Sequence, residues 1–186
     1  MSATNLLKYL HLAYFSRHKT ERPLFRIIRK LQAGHLVHIG VGTGELAQQM
    51  IELAARNTRR EKVRYTGIDL FEMRPAENPG LTLKRAYRLL KSLPAKTQLV
   101  PGDPYSAIAR VANSLPDNDL VLISSDQDMT SLQLAWFYLP RMLHDQSLVL
   151  IEDPEHEHAE DGYRVLDIAA VRQLASQSGL QRRRAA

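Results

Sequence analysis

The sequence predicts an α/β protein, built on one open, doubly wound, mainly parallel sheet with helices on both faces. Short apolar runs alternate with segments of helical periodicity throughout residues 35–153. The unbroken run Leu-Val-Leu-Ile at 120–123 recurs at 148–151, which is typical of parallel strands covered on both faces. Because crossovers between parallel strands are right-handed, such units wind into an open sheet. The length of 186 residues suits one ordinary domain.

The first predicted elements are two helices, at residues 5–15 and 24–31, and Pro23 suits the start of the second. Five predicted strands follow, at residues 35–40, 62–70, 97–103, 119–124 and 147–153. The helices between and after them are predicted at residues 44–57, 80–93, 105–115, 131–143 and about 163–178. We therefore predict an N-terminal helical segment, residues 1–34, followed by one α/β domain, residues 35–186.

Prolines and a glycine mark the predicted helix ends. Pro94 ends the helix at 80–93, Pro140 bends or ends the helix at 131–143, and Gly179 ends the last helix. Only seven residues follow Gly179, enough for at most one strand. The sheet is therefore predicted to be shortened at its C-terminal end, or completed at its edge by a partner subunit, as in a homodimer.

Composition narrows the class of protein. The chain has no cysteine, which excludes disulfides and thiolate metal sites. No apolar run approaches the length of a membrane span, and the amino-terminal run lacks the charge order and cleavage site of a signal peptide. We expect a cytoplasmic protein with no membrane partner.

Charge is unevenly distributed. Residues 1–34 contain seven Lys and Arg against one Glu, a net charge of +6, whereas residues 145–161 contain seven acids and no Lys or Arg. The basic segment suggests nucleic acid as a partner. A solvated helix face explains the same pattern and is favoured over a nucleic-acid site.

A glycine-rich loop joins the first predicted strand of the sheet to its helix. The sequence Gly40-Val41-Gly42-Thr43-Gly44 places glycine at alternate positions, which permits a positive φ or the close approach of a ligand. The spacing is one residue shorter than the dinucleotide fingerprint, so an NAD-dependent dehydrogenase is disfavoured. No G-x-S-x-G sequence occurs, which disfavours a serine hydrolase.

Acids follow the second and third predicted strands. A doubly wound sheet binds ligands beyond the carboxyl ends of its strands. Asp69, about 25 residues past the glycines, is therefore placed to accept hydrogen bonds from both hydroxyls of a ribose. Asp103 could accept from the exocyclic amine of adenine, or cap the helix that follows, or do both.

The loops after the fourth and fifth predicted strands carry many acids. A divalent cation could use oxygen ligands there, and a solvated acidic loop is the alternative. The candidate ligands are Asp126, Asp128, Glu152, Asp153, His156 and His158. Histidines two positions apart do not share a helix face, so His156 and His158 are poor joint ligands.

Five segments together resemble the class I S-adenosylmethionine-dependent methyltransferases, which have a Rossmann-like fold. They are "VHIGVGTGELA", "YTGIDL", "LVPGD", "DLVLISSDQD" and "LVLIED", and they span roughly residues 35–153. The resemblance implies that Gly40, Gly42 and Gly44 pass under the methionine part of the cofactor. It also implies that Asp69 holds the ribose and that Asp103 contacts adenine. The acid that the family has two residues before the first glycine is His38 here, which predicts weaker cofactor binding or binding that depends on pH near neutrality.

The segments at 119–128 and 147–153 resemble the small-molecule O-methyltransferases whose fourth strand ends in I-D-G-D-H and whose fifth ends in I-D-D. That resemblance implies a divalent metal that helps to deprotonate an acceptor hydroxyl. Ser124 and Gln127 replace the first acid and the histidine of the fourth-strand motif, while Asp126 is kept. A divalent metal is therefore a doubtful cofactor, since Mg²⁺ needs several oxygen ligands.

The leading hypothesis is a methyltransferase of a small-molecule acceptor, with Asp126, Ser125 and His156 as the candidate residues near the acceptor. A methyltransferase-like protein that binds but is catalytically impaired is the second. The third is an RNA methyltransferase that holds phosphates with its basic N-terminal helices; its affinity should fall steeply with salt.

Overall fold

The computed structural model describes residues 21–153 and 162–185, with side chains as far as residue 179. The helix predicted at 5–15 lies outside these residues. Six helices lie within these described residues: α1 (Arg22–Leu31), α2 (Glu45–Asn57), α3 (Leu83–Lys91), α4 (Pro104–Val111), α5 (Met129–Ala135) and α6 (Ile168–Ala185). Short 3-10 turns lie at Phe71–Met73, Ala112–Ser114 and Leu139–Met142. None of these helices in the described part is both long and apolar enough to cross a bilayer.

One six-stranded sheet forms the centre of the molecule. Its strands are β1 (His35–Ile39), β2 (Val63–Asp69), β3 (Ala95–Pro101), β4 (Asn118–Ile123), β5 (Leu143–Glu152) and β6 (Tyr163–Leu166). Their order is β3-β2-β1-β4-β5-β6, and only the last pair is antiparallel. The predicted fold class, a doubly wound and mainly parallel sheet, is confirmed.

Alternate side chains of the strands enter two separate cores. Leu36 of β1 packs with α1, α2 and Leu90 of α3 on one face. Val37, the next residue, packs with α4, α5 and Val171 of α6 on the other. This alternation follows from the period of two along a strand, and it places helices on both faces as predicted.

The end of the sheet corrects the prediction. Residues 163–166, expected to begin the last helix, form β6, which pairs with β5 in antiparallel register. The sheet therefore gains its extra strand before the last helix and not after it. Gly179, expected to end that helix, lies inside α6. A Cβ at Gly179 would lie 3.4 Å from the Phe137 ring, an ordinary van der Waals contact, so the packing there does not require glycine.

One of the two proline predictions agrees with the structure, and the other does not. Pro23 lies in the first turn of α1, where the missing N–H has no helical partner. The helix predicted at 131–143 ends at Ala135, and Pro140 lies in the 3-10 turn that follows. The described part of the sheet's carboxyl edge, the side on which β1 to β5 end, is formed by the glycine loop and the loops after β2, β3 and β4.

Candidate ligand site at the carboxyl edge of the sheet

The glycine loop has the backbone that only glycine adopts readily. The φ angles of Gly40, Gly42 and Gly44 are 98°, 57° and 80°, all in the region that L side chains rarely occupy. A Cβ at Gly40 would lie 2.6 Å from the Gln127 side-chain nitrogen. A Cβ at Gly42 would meet nothing within 4 Å, so this part of the loop faces open space.

Asp69 ends β2 directly beside that loop. Its side chain is only 2% exposed, and its Oδ2 accepts a hydrogen bond from the Gly42 N–H at 2.9 Å. Oδ1 accepts from the Phe71 N–H at 2.8 Å. The structure thus places the predicted acid against the open glycine, and its proposed contact with a ribose stays a prediction.

Arg74 makes the strongest contact with Asp69. Its Nε donates to Oδ1 at 2.6 Å and its terminal NH2 donates to Oδ2 at 2.7 Å, a two-pronged geometry that strengthens the pair. Burial alone raises the pKa of Asp69, but hydrogen bonds from Arg74, Gly42 and Phe71 outweigh burial and lower that pKa. Asp69 is therefore an anion whose two oxygens both have partners.

The same arginine reaches the loop after β4. Its second terminal nitrogen, NH1, donates to Oδ2 of Asp126 at 2.5 Å, and Asn78 donates to the same oxygen at 2.7 Å. Gln127 donates to Oδ1 of Asp126 at 2.5 Å. Asp126, predicted to face an acceptor, is thus held by three side chains. Neither Arg74 nor Asn78 was identified from the sequence, because their contacts depend on the path that the chain takes after Phe71.

Asp103 caps α4, as one of its two predicted roles requires. Its Oδ1 accepts from the Ser106 N–H at 3.1 Å and from the Ser131 hydroxyl, and Oδ2 accepts from the Ser106 hydroxyl at 2.5 Å. Burial alone raises the pKa of Asp103, yet the Ser106 and Ser131 hydroxyls bring it down to about 2. The capping role is confirmed, and the contact with adenine stays a prediction.

His38 is buried in β1, with its side chain between Tyr65 and Ser124. Nδ1 lies 3.0 Å from the Tyr65 hydroxyl and Nε2 lies 3.4 Å from Ser124 Oγ. Since the Ser124 hydroxyl donates to the Gly40 carbonyl, Ser124 Oγ accepts from His38 Nε2–H, and Nδ1 then accepts from Tyr65. Burial is the main cause that lowers the pKa of His38 to about 4. His38 is therefore neutral at physiological pH, and a titration of His38 near neutrality is not expected.

The remaining residues predicted near the acceptor or as metal ligands are only partly placed. Ser125 donates to Glu152 Oε2 through its N–H at 3.0 Å and its hydroxyl at 3.2 Å. Asp128 caps α5 by accepting from the N–H groups of Thr130 and Ser131. His156 and His158 lie outside the described residues.

A divalent cation does not fit the described part of this edge. Within residues 21–153 and 162–185, no group of three His, Asp or Glu side chains could hold a metal ion. Three of the four acids proposed for that purpose have other partners, because Asp126 pairs with Arg74, Asp128 caps α5 and Glu152 accepts hydrogen bonds from Ser125.

Comparison with known proteins identifies the fold. No protein-family model matches the sequence, and no curated protein is significantly similar to it. Solved structures do match. CalS11, a TDP-rhamnose 3′-O-methyltransferase of calicheamicin biosynthesis, superposes with a TM-score of 0.60 at 18% identity over 87% of this chain and 75% of its own. TomG from Streptomyces achromogenes is an O-methyltransferase of tomaymycin synthesis whose structure was solved with S-adenosylmethionine. It superposes with a TM-score of 0.52 at 13% identity over 95% of this chain and 78% of its own. The chain thus has the fold of these O-methyltransferases.

Proposed function

We propose that the protein is an S-adenosylmethionine-dependent methyltransferase that acts on a hydroxyl of a small molecule. The observation that carries the proposal is the position of Asp69. A buried carboxylate ends β2, hydrogen-bonded to the glycine that faces open space, where a doubly wound sheet binds a ribose. The similarity to solved O-methyltransferases supports the class of reaction.

The charge of the carboxyl edge favours this cofactor. Asp69, Asp103, Asp126 and Glu152 lie at or just beyond the carboxyl ends of four different strands, and the pKa values of the three aspartates are lowered. Anions around the site attract a cationic sulfonium and repel the phosphates of a polynucleotide. The acidic edge therefore supports a small-molecule acceptor over RNA.

When bound, the cofactor supplies an electrophilic methyl group on a sulfonium. The chain would hold the ribose at Asp69 and the adenine at Asp103, and it would align the acceptor beside Ser125 and Asp126. Such alignment is the main contribution expected of an enzyme in a direct transfer between two bound molecules. Accepting the proton of the hydroxyl is assigned to Asp126 or His156.

A catalytically impaired binding protein is the second candidate. It is favoured because the acids near the acceptor already accept hydrogen bonds within the chain. Arg74, Asn78 and Gln127 donate to Asp126, and Ser125 donates two hydrogen bonds to Glu152. A base must have a free lone pair within reach of the proton that it removes. Transfer of a labelled methyl group to any of a panel of small hydroxyl compounds separates the two candidates.

Calorimetric titration with S-adenosylhomocysteine tests the proposed site. Asp69→Asn is expected to weaken binding about a hundredfold, because two hydrogen bonds from the ribose lose their anionic acceptor. Asp128→Asn is the matched control, since it removes a charge at the same edge and asparagine still caps a helix. Its dissociation constant should stay within about threefold of the parent. Equal affinity in the Asp69 variant and the parent would refute the assignment.

A further inference from the structure

We propose that Arg74 occupies the ribose subsite of the free protein, so that the cofactor must displace the Arg74 guanidinium from Asp69. The inference rests on the proposed function, because it concerns the same carboxylate. It makes Arg74 a residue that sets cofactor affinity through competition.

The guanidinium presents to Asp69 what a vicinal diol would present. Two donors on neighbouring atoms, Nε–H and a terminal N–H, point at the two carboxylate oxygens at 2.6 and 2.7 Å. Each oxygen also accepts one backbone N–H, from Phe71 or Gly42. With these four donors in place, the two hydroxyls of a ribose have no free position on Asp69.

Arg74 is enclosed in this position. Its side chain is 6% exposed, and that of Asp69 is 2% exposed, so the two groups exclude water from each other. A ligand cannot reach Asp69 around the guanidinium. Cofactor and arginine must therefore alternate at this carboxylate.

Asp126 gives the displaced arginine a second anchor. NH1 of Arg74 is 2.5 Å from Asp126 Oδ2, and the Asp126 side chain is 28% exposed. When the guanidinium leaves Asp69, it can keep this ion pair and turn toward solvent. The arginine then keeps a counter-ion, and the Asp69 carboxylate keeps the N–H donors of Gly42 and Phe71 and accepts the two ribose hydroxyls in place of the guanidinium.

The backbone after β2 forms a strap, residues 74–81, that joins Arg74 to the glycine loop. Phe71 has a φ of 51°, which is unusual for a bulky residue, and this turn sends the chain back toward Asp69. At the other end of the strap, the Leu81 N–H donates to the Gly42 carbonyl at 2.9 Å. A Cβ at Gly80 would lie 2.8 Å from Arg74 Cδ. Movement of Arg74 is therefore coupled to the strap, which is hydrogen-bonded to the glycine loop at Gly42.

Substitution of Arg74 tests the competition by calorimetric titration with S-adenosylhomocysteine. Arg74→Ala is expected to bind at least about tenfold more tightly than the parent, because removing a competing internal ligand raises the fraction of protein that is ready to bind. Arg74→Lys keeps the charge but loses the paired donors, so its affinity should lie between those of the parent and the Arg74→Ala variant. Arg88→Ala, which removes an exposed arginine from α3, should leave the affinity unchanged.

The outcomes separate this inference from the function on which it rests. Tighter binding by the Arg74→Ala variant supports the inference, including the case in which the parent shows no binding. Equal or weaker binding by that variant, with a parent that binds, overturns the inference and leaves the proposed function standing. No binding by any of the four proteins overturns both. Should Arg74→Ala fail to fold, the Arg74→Lys variant decides in the same way.

Discussion

Two arginines each bridge a pair of aspartates at opposite ends of the same sheet. At the carboxyl edge Arg74 joins Asp69 to Asp126. At the amino edge, where the strands begin, Arg60 donates to Asp117 and Asp119, each at 2.7 Å. The chemistry of the two clusters is the same, but the side chain of Arg60 is 31% exposed and that of Arg74 is 6% exposed.

The surroundings give the two clusters different roles. Asp119 also accepts from the N–H groups of Gly34 and His35, at 2.7 and 2.8 Å. It therefore fixes the point where the chain enters β1. Asp69 instead accepts from Gly42, which faces open space. The cluster around Arg60 holds the start of β1 in place, whereas the cluster around Arg74 lies where a ligand of this fold binds. The two clusters therefore differ in role because of their positions and not because of their chemistry.

The largest effect on stability is expected at the carboxyl edge. Arg74→Ala should lower the free energy of unfolding by about 3 kcal/mol, because it leaves the buried Asp69 without its counter-ion. Arg60→Ala should cost about 1 kcal/mol, since its ion pairs are more exposed. Urea unfolding of the two variants and the parent measures both values.

A bound ligand should affect the stability of the same two variants differently. A tenfold gain in affinity corresponds to about 1.4 kcal/mol, so saturating S-adenosylhomocysteine should narrow the deficit of the Arg74→Ala variant by about that amount. The deficit of the Arg60→Ala variant should not change. If the ligand narrowed both deficits equally, the distinction between the two clusters would be lost.

The two ends of β1 offer a smaller contrast in pH dependence. The pKa of His38 is lowered to about 4, mainly by burial, whereas an unfolded histidine titrates near 6.5. As pH falls below about 6.5 the unfolded chain binds the proton first, so stability is lost between about pH 6.5 and 4. Replacing His38 with glutamine should reduce the loss of unfolding free energy between pH 7 and 4.5 by about 2 kcal/mol.

His35, at the amino end of β1, is the comparison for that measurement. Its pKa is also lowered, again chiefly by burial, although a hydrogen bond to the Asp117 carbonyl opposes the effect. His35→Gln should change the pH dependence in the same direction and by less. A larger change for His35 than for His38 would contradict the burial of His38 as the cause.

The smallest expected effect concerns Asp103. Asparagine caps helices as well as aspartate does, so Asp103→Asn should change the free energy of unfolding by no more than about 1 kcal/mol. If Asp103 also accepts from adenine, the affinity for S-adenosylhomocysteine should fall about tenfold, a loss of one hydrogen bond to an anion. Unchanged affinity would leave Asp103 with its capping role alone.

Much of the fold could be predicted from the sequence, because the alternation of apolar runs and amphipathic helices is a local signal. β6 could not. Its four residues are too few to show a period, and only pairing with β5 makes them a strand. Gly179 was also misleading, because glycine often ends helices, whereas α6 continues through Gly179 to Ala185.

The candidate site divides in the same way. The glycines and Asp69 could be placed from their positions after predicted strands. The pairing of Arg74 with Asp69 could not, because it depends on the reversal of the chain at Phe71. Phe71 has a positive φ, and a bulky aromatic residue rarely adopts that conformation. Contacts that depend on tertiary geometry of this kind have no periodic signature in the sequence.

A crystal structure of the chain with S-adenosylhomocysteine tests the central claim most directly. Both ribose hydroxyls are expected within hydrogen-bond distance of Asp69, with Arg74 removed from that carboxylate and still paired with Asp126. A bound ligand whose ribose lies elsewhere, with Arg74 still on Asp69, would contradict it.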